Sequence, residues 1–260
     1  MPPSEANPNA ETIERELALV YRLYAGLARD LDVEADGDGV GLGGKPATAG
    51  KPATAGRPAT AGRLFYAGEL DAEGCRLVRA ANVAGAASLA ASADAAAVRQ
   101  AMREGVVDFV VTSLDEALRI LKNEIRKRAT VAVGVTATPR AMAREMAERG
   151  VLPDLVGASA ALDPENADFM KRGARCVEAA AMTPGRRFVA VTIPAAFAQR
   201  AAEFDALLLE FVAAEDFAMR RWLRLSPRYM GHGARRMRSL ECDEARAADL
   251  MDRVKGMTGE

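Results

Sequence analysis

His232 is the chain's single histidine and lies between Gly231 and Gly233. A lone imidazole in a glycine turn could act as a general base; the competing reading is a loop residue without a role. Three cysteines, Cys75, Cys176 and Cys242, are widely spaced. That spacing excludes a disulfide framework or zinc knuckle, and with one histidine no transition-metal site is expected. Cys75 opens a helix after the loop Gly68-Glu69-Leu70-Asp71-Ala72-Glu73-Gly74. A helix N-terminus favours a thiolate, whereas Glu69, Asp71 and Glu73 oppose one, so Cys75 reads as a reactive thiol or as a small packed side chain. Arg220, Arg221, Arg224, Arg228, Arg235, Arg236 and Arg238 make a basic cluster, either an anion site or a solvated face balanced by acids. No Ser-His-Asp spacing, Walker loop or carboxylate pair is present, so the sequence leaves catalytic residues unassigned.

The elements that must position these residues follow from periodicity. Leu64 to Gly68 predicts a strand, Cys75 to Ala87 a helix, Ser88 to Ser92 a strand, and Ala95 to Glu104 a helix stopped by Gly105. Val106 to Val111 reads as a buried-type strand. Thr112 or Ser113 caps a helix from Leu114 to Arg128, with Asp115 and Glu116 where the helix dipole favours acids. Thr130 to Val135, a helix from Pro139 to Arg149 and a short strand from Asp154 to Val156 follow. Strands alternating with helices imply βαβ units and right-handed crossovers. The expected fold of residues 63–193 is therefore α/β, a mainly parallel, Rossmann-like doubly wound sheet.

Several stretches carry a family likeness: Ser113-Leu114-Asp115-Glu116-Ala117-Leu118, the run Glu145 to Val156, Asp163-Pro164, and upstream Ala84-Gly85-Ala86-Ala87-Ser88-Leu89. Together they resemble the central domain of the urocanases (urocanate hydratases). The resemblance implies a tightly bound NAD over a loop of the type G-L-G-G-M-G-G. Here that loop reads Gly68 to Cys75 and keeps Gly68 and Gly74. The family's acid after the second strand falls on Ser92. Its H-G-N falls on Thr136-Ala137-Thr138. Its Q-T-S-A-H-D-P falls on Ala158 to Pro164, one residue shorter, with Leu162 beside the retained Asp163. The implied cofactor positions are thus Gly68, Gly74, Ser92, Thr136 and Asp163. One carboxylate about 5 Å from a phosphate costs about 3 kcal/mol at an effective dielectric of 20, so the acids of this loop oppose the NAD that the resemblance implies. Urocanases are also longer, and their cysteine-bearing catalytic part is not recognisable after Pro164.

The rest of the chain frames this domain. Ile13, Leu17, Val20, Tyr21, Tyr24, Leu27 and Leu31 put one apolar stripe on a helix from Glu11 to Leu31, expected to pack on the α/β domain. Residues 32–62 read as a disordered linker, acidic and glycine-rich before a hexad Lys45-Pro46-Ala47-Thr48-Ala49-Gly50 that repeats from Lys51 and from Arg57. Deleting Lys45 to Gly56 is expected to change stability by less than about 1 kcal/mol, because only the closure entropy changes; a large fall in melting temperature would show that the repeat packs on the domain. Arg186 to Ile193 predicts a late strand. Ala195 to Leu225 predicts a helix, broken near Ala213–Glu215 and stopped by Pro227, and Glu244 to Val254 a last amphipathic helix, so 194–260 reads as a helical extension.

The formal net charge of −1 excludes electrostatic attraction to nucleic acid or anionic membrane. The spaced cysteines and polar N-terminus fit the cytoplasm. The expected function is that of a urocanase-like Rossmann-domain protein, non-catalytic or repurposed to bind a small molecule or protein partner, with an oligomer allowed. The alternative is a urocanate hydratase-type lyase of histidine catabolism using NAD, or a subunit of one.

Overall fold

The structure, a computed structural model, describes residues 8–36, 60–231 and 234–259. Of the expected linker 32–62, residues 32–36 continue the first helix and 60–62 form a turn with Thr60 buried, which corrects its two ends; residues 37–59, with the first two hexads and the start of the third, and His232 lie outside the described residues.

Six parallel strands form the central sheet. They are β1 (Leu64–Glu69), β2 (Ala87–Ser92), β3 (Phe109–Val111), β4 (Val131–Thr136), β5 (Leu155–Gly157) and β6 (Arg175–Val177), in the order β3-β4-β2-β1-β5-β6. The helix α1 (Pro8–Asp36) precedes them, longer at both ends than its apolar stripe. Between the strands run α2 (Ala72–Ala84), α3 (Ala95–Arg103), α4 (Leu114–Lys127), α5 (Pro139–Glu148), α6 (Ala158–Ala161) and α7 (Ala167–Lys171).

The period-2 alternation of the strands sorts their side chains into two cores. Phe65, Ala67, Ala90 and Ala132 face Leu77, Val78 and Val98 of α2 and α3. Leu64, Tyr66, Leu89, Val131, Val133 and Val135 face Leu114, Leu121, Met142 and Met146 of α4 and α5. Apart from Phe65 the residues named on the first face are alanines, and at two glycines its helices come close. A Cβ at Gly134 would come within 2.9 Å of Val98, and one at Gly157 within 2.7 Å of Leu77. The expected capping is present: Ser113 Oγ accepts from Glu116 N–H and opens α4.

One expectation fails at β3. The run Val106 to Val111 was read as a buried strand, but only Phe109 to Val111 pair, at the sheet edge, and Phe109 is 47% exposed. Val106 and Val107 are buried before the strand begins, inside the core shared by α2 and α3. A short apolar run does not distinguish an edge from a centre, because half of this one is spent in a loop.

The late strand also departs from expectation. β7 (Arg186–Thr192) leaves the parallel sheet and pairs antiparallel with β8 (Met237–Asp243) as a separate ribbon. β8 was unforeseen, since its Arg238 was counted in the basic cluster. A 3-10 turn at 195–200, α8 (Ala201–Glu210), α9 (Phe217–Tyr229) and α10 (Glu244–Thr258) complete the chain. The break near Ala213 occurs, with Asp216 capping α9 through Met219 N–H at 2.9 Å. Pro227 does not stop α9. It sits inside the last turn, where it removes one backbone hydrogen bond and the helix still reaches Tyr229.

The arginines do not share one solvated face. Arg238 is buried and pairs with Asp205, and Arg221 donates to the Val83 carbonyl at 2.6 Å. Both are used to join elements. The apolar stripe of α1 packs as expected: Leu17, Val20, Tyr21, Tyr24 and Leu27 are buried. Arg76 of α2 clasps Glu16 of α1 through two hydrogen bonds of 2.8 and 2.6 Å.

Glu241 of β8 links the ribbon to α1. Its carboxylate accepts from the Tyr21 hydroxyl at 2.7 Å and from Thr183 N–H at 2.7 Å. Burial alone pushes this carboxyl up, but those hydrogen bonds and the Arg186 charge together hold it below the usual carboxylate range. A carboxyl that is more acidic folded than unfolded stabilises above the ordinary carboxylate range, and the gain fades as pH falls through the folded value. The advantage of the native chain over Glu241→Gln should therefore diminish below about pH 4. Urea denaturation at neutral and acid pH measures it; an advantage that grows in acid contradicts the assignment.

Candidate functional site

In a doubly wound sheet the carboxyl ends of the strands form the expected ligand edge. All five positions suggested by the sequence lie there or in the turns that leave it. Gly68 is in β1, paired with Ala90 beside a register shift. Ser92 and Thr136 are neighbours across β2 and β4. Gly74 is in the first turn of α2, and Asp163 follows α6. The topology brings these five positions to one edge of the sheet.

The loop between β1 and α2 is closed by its own residues. Leu70 N–H donates to the Ala91 carbonyl at 2.9 Å, and the Leu70 side chain is buried. Asp71 is the N-cap of α2, its Oδ1 accepting from Gly74 N–H at 2.8 Å. A carboxylate here satisfies the amide that a helix N-terminus would otherwise offer to an anion, and its charge complements the dipole. Glu73 adds a second acid in that turn and accepts from the Ser159 hydroxyl at 2.5 Å, which ties the loop to α6.

The two glycines serve the protein's own packing. A Cβ at Gly74 would stand 1.8 Å from the Glu69 carbonyl oxygen. Gly68 has φ +83°, and a Cβ there would lie 2.8 Å from that of Ala160. Glycine is required at both because backbone or α6 comes close. These contacts bear on the NAD that the likeness implies. A dinucleotide would need open glycine backbone and a free helix amide. Here protein atoms fill the Cβ direction of both glycines, Asp71 takes the amide of Gly74, and Glu73 adds a second acid to the turn, so the residues present do not fit the group.

Ser92 is likewise engaged. Ser92 Oγ accepts from Asp94 N–H at 3.3 Å, and Asp94 caps α3 through Ala96 N–H at 2.7 Å. Thr136 is half-buried, while Thr138 caps α5 through Ala141 N–H. Tyr66 of β1 is buried, and its hydroxyl donates to the Pro139 carbonyl at 2.9 Å. Burial first, and then the charges of Asp163 and Glu69, push the Tyr66 phenol well above its ordinary value. Tyr66 therefore stays protonated. Burial also pushes up the thiols of Cys75, Cys176 and Cys242. For Cys75 this favours the packed side chain over the reactive thiol.

The sequence reading missed the Glu73–Ser159 tie and the Asp71 cap. An acid three residues before the amide it caps was a legible signal, but it was weighed only as charge. The family described as the Urocanase Rossmann-like domain matches residues 49–188, just over half of the chain.

Proposed function

The chain belongs to the urocanase family through its Rossmann-like domain, and we propose that it is a non-catalytic or repurposed member that binds a small molecule or a protein partner without seating NAD on α2. The observation that carries this reading is the Asp71 carboxylate on the Gly74 amide. Hydration of urocanate in the family requires the dinucleotide to be seated first. The purified chain should therefore leave urocanate's ultraviolet absorbance unchanged and release no NAD on denaturation. Loss of that absorbance would overturn the proposal. Family membership favours a second reading, a urocanate hydratase-type lyase of histidine catabolism or a subunit of one. Absorbance loss that appears only on adding a second chain would favour the subunit. We place the protein in the cytoplasm on its unpaired Cys75, Cys176 and Cys242. No described helix is long and apolar enough to cross a membrane.

A further inference from the structure

A cleft of about 260 Å³ opens between α1, the turn before β7, the start of α9, and β8. None of its lining residues belongs to the carboxyl edge of the parallel sheet, so its failure would leave the reading above standing. Tyr21 and Tyr24 wall it, with Met219. Glu241 contributes a carboxylate to the lining although the residue is only 3% exposed. An ionised carboxylate offers about four acceptor positions. Tyr21 and Thr183 use part of that capacity. Asp216 supplies a second carboxylate, of which Oδ1 caps α9. Arg186 is exposed, and its guanidinium donates to the backbone carbonyl of Glu241.

Two carboxylates favour a cation, through charge-assisted hydrogen bonds. A guanidinium favours a carboxylate. The volume is below the roughly 300 Å³ at which drug-sized pockets begin, so the occupant is small. We propose that this cleft binds a small zwitterion, a short amino acid, with its ammonium at Glu241 and Asp216 and its carboxylate at Arg186.

The test is calorimetric titration of the full chain with glycine, β-alanine and 4-aminobutyrate, against ethylamine and acetate. At least one zwitterion should bind with a Kd below about 1 mM, and each single-charge control at least about tenfold more weakly. Asp216→Asn keeps a capping side chain and removes the charge. It and Arg186→Gln should each weaken binding by about tenfold or more. If Arg186→Gln alters the denaturation midpoint, Asp216→Asn decides. A Kd above about 1 mM for every zwitterion overturns the proposal. So does binding that Asp216→Asn leaves unchanged, or that ethylamine or acetate matches.

Discussion

Trp222→Ala is expected to destabilise the protein by about 3–5 kcal/mol, within a single unfolding transition. Trp222 is fully buried on α9, and its indole N–H donates to the carbonyl and hydroxyl of Ser239 on β8, each at 3.1 Å. Tyr21 and Tyr24 of α1 place their rings 5.2 and 5.4 Å from it. Truncation would open a cavity where α1, α9 and β8 meet and would leave Ser239 without its donor. The same core continues into Leu77 and Val78 of α2, so the N-terminal helix, the parallel sheet and the ribbon should unfold together. Guanidinium denaturation followed by circular dichroism checks this. A loss below about 1 kcal/mol, or two separated transitions, would show that the ribbon does not share the core.

The second large effect is expected at Gly74. Gly74→Ala should cost at least about 2 kcal/mol, because its Cβ would meet a backbone oxygen that moves only with the end of β1. Gly256 is the control: it lies in α10, and a Cβ there meets nothing within 4 Å. Gly256→Ala should stabilise by about 0.5–1 kcal/mol through helix propensity alone. Thermal denaturation of both variants decides. A neutral Gly74→Ala would mean that the loop has room that this packing denies.

Legibility in the sequence followed the physics of each element. The βα alternation from β1 to α5 was readable because two-residue and 3.6-residue periods are strong there and caps such as Ser113 mark the helix starts. The edge position of β3 was not readable, since strand order depends on which crossover passes over which strand. Nor was β8, whose alternation is hidden by Arg238 and Glu241, polar residues buried through their partners Asp205, Tyr21 and Thr183. Gly68, Gly74, Ser92, Thr136 and Asp163 fall at one edge of the sheet, but the role of their neighbour Asp71 was misjudged. Asp71 was counted as a charge facing a ligand, whereas it caps its own helix. Distinguishing these needs the distance to Gly74 N–H, which only the fold supplies.

That cap is the centre of the functional account, and calorimetric titration of the full chain with NAD tests it most directly. The account predicts no binding tighter than about 1 mM, because the Gly74 amide is held by Asp71 and the acids of the turn repel a pyrophosphate. Micromolar or tighter binding would contradict it, showing that the loop gives up the cap and re-forms a dinucleotide seat.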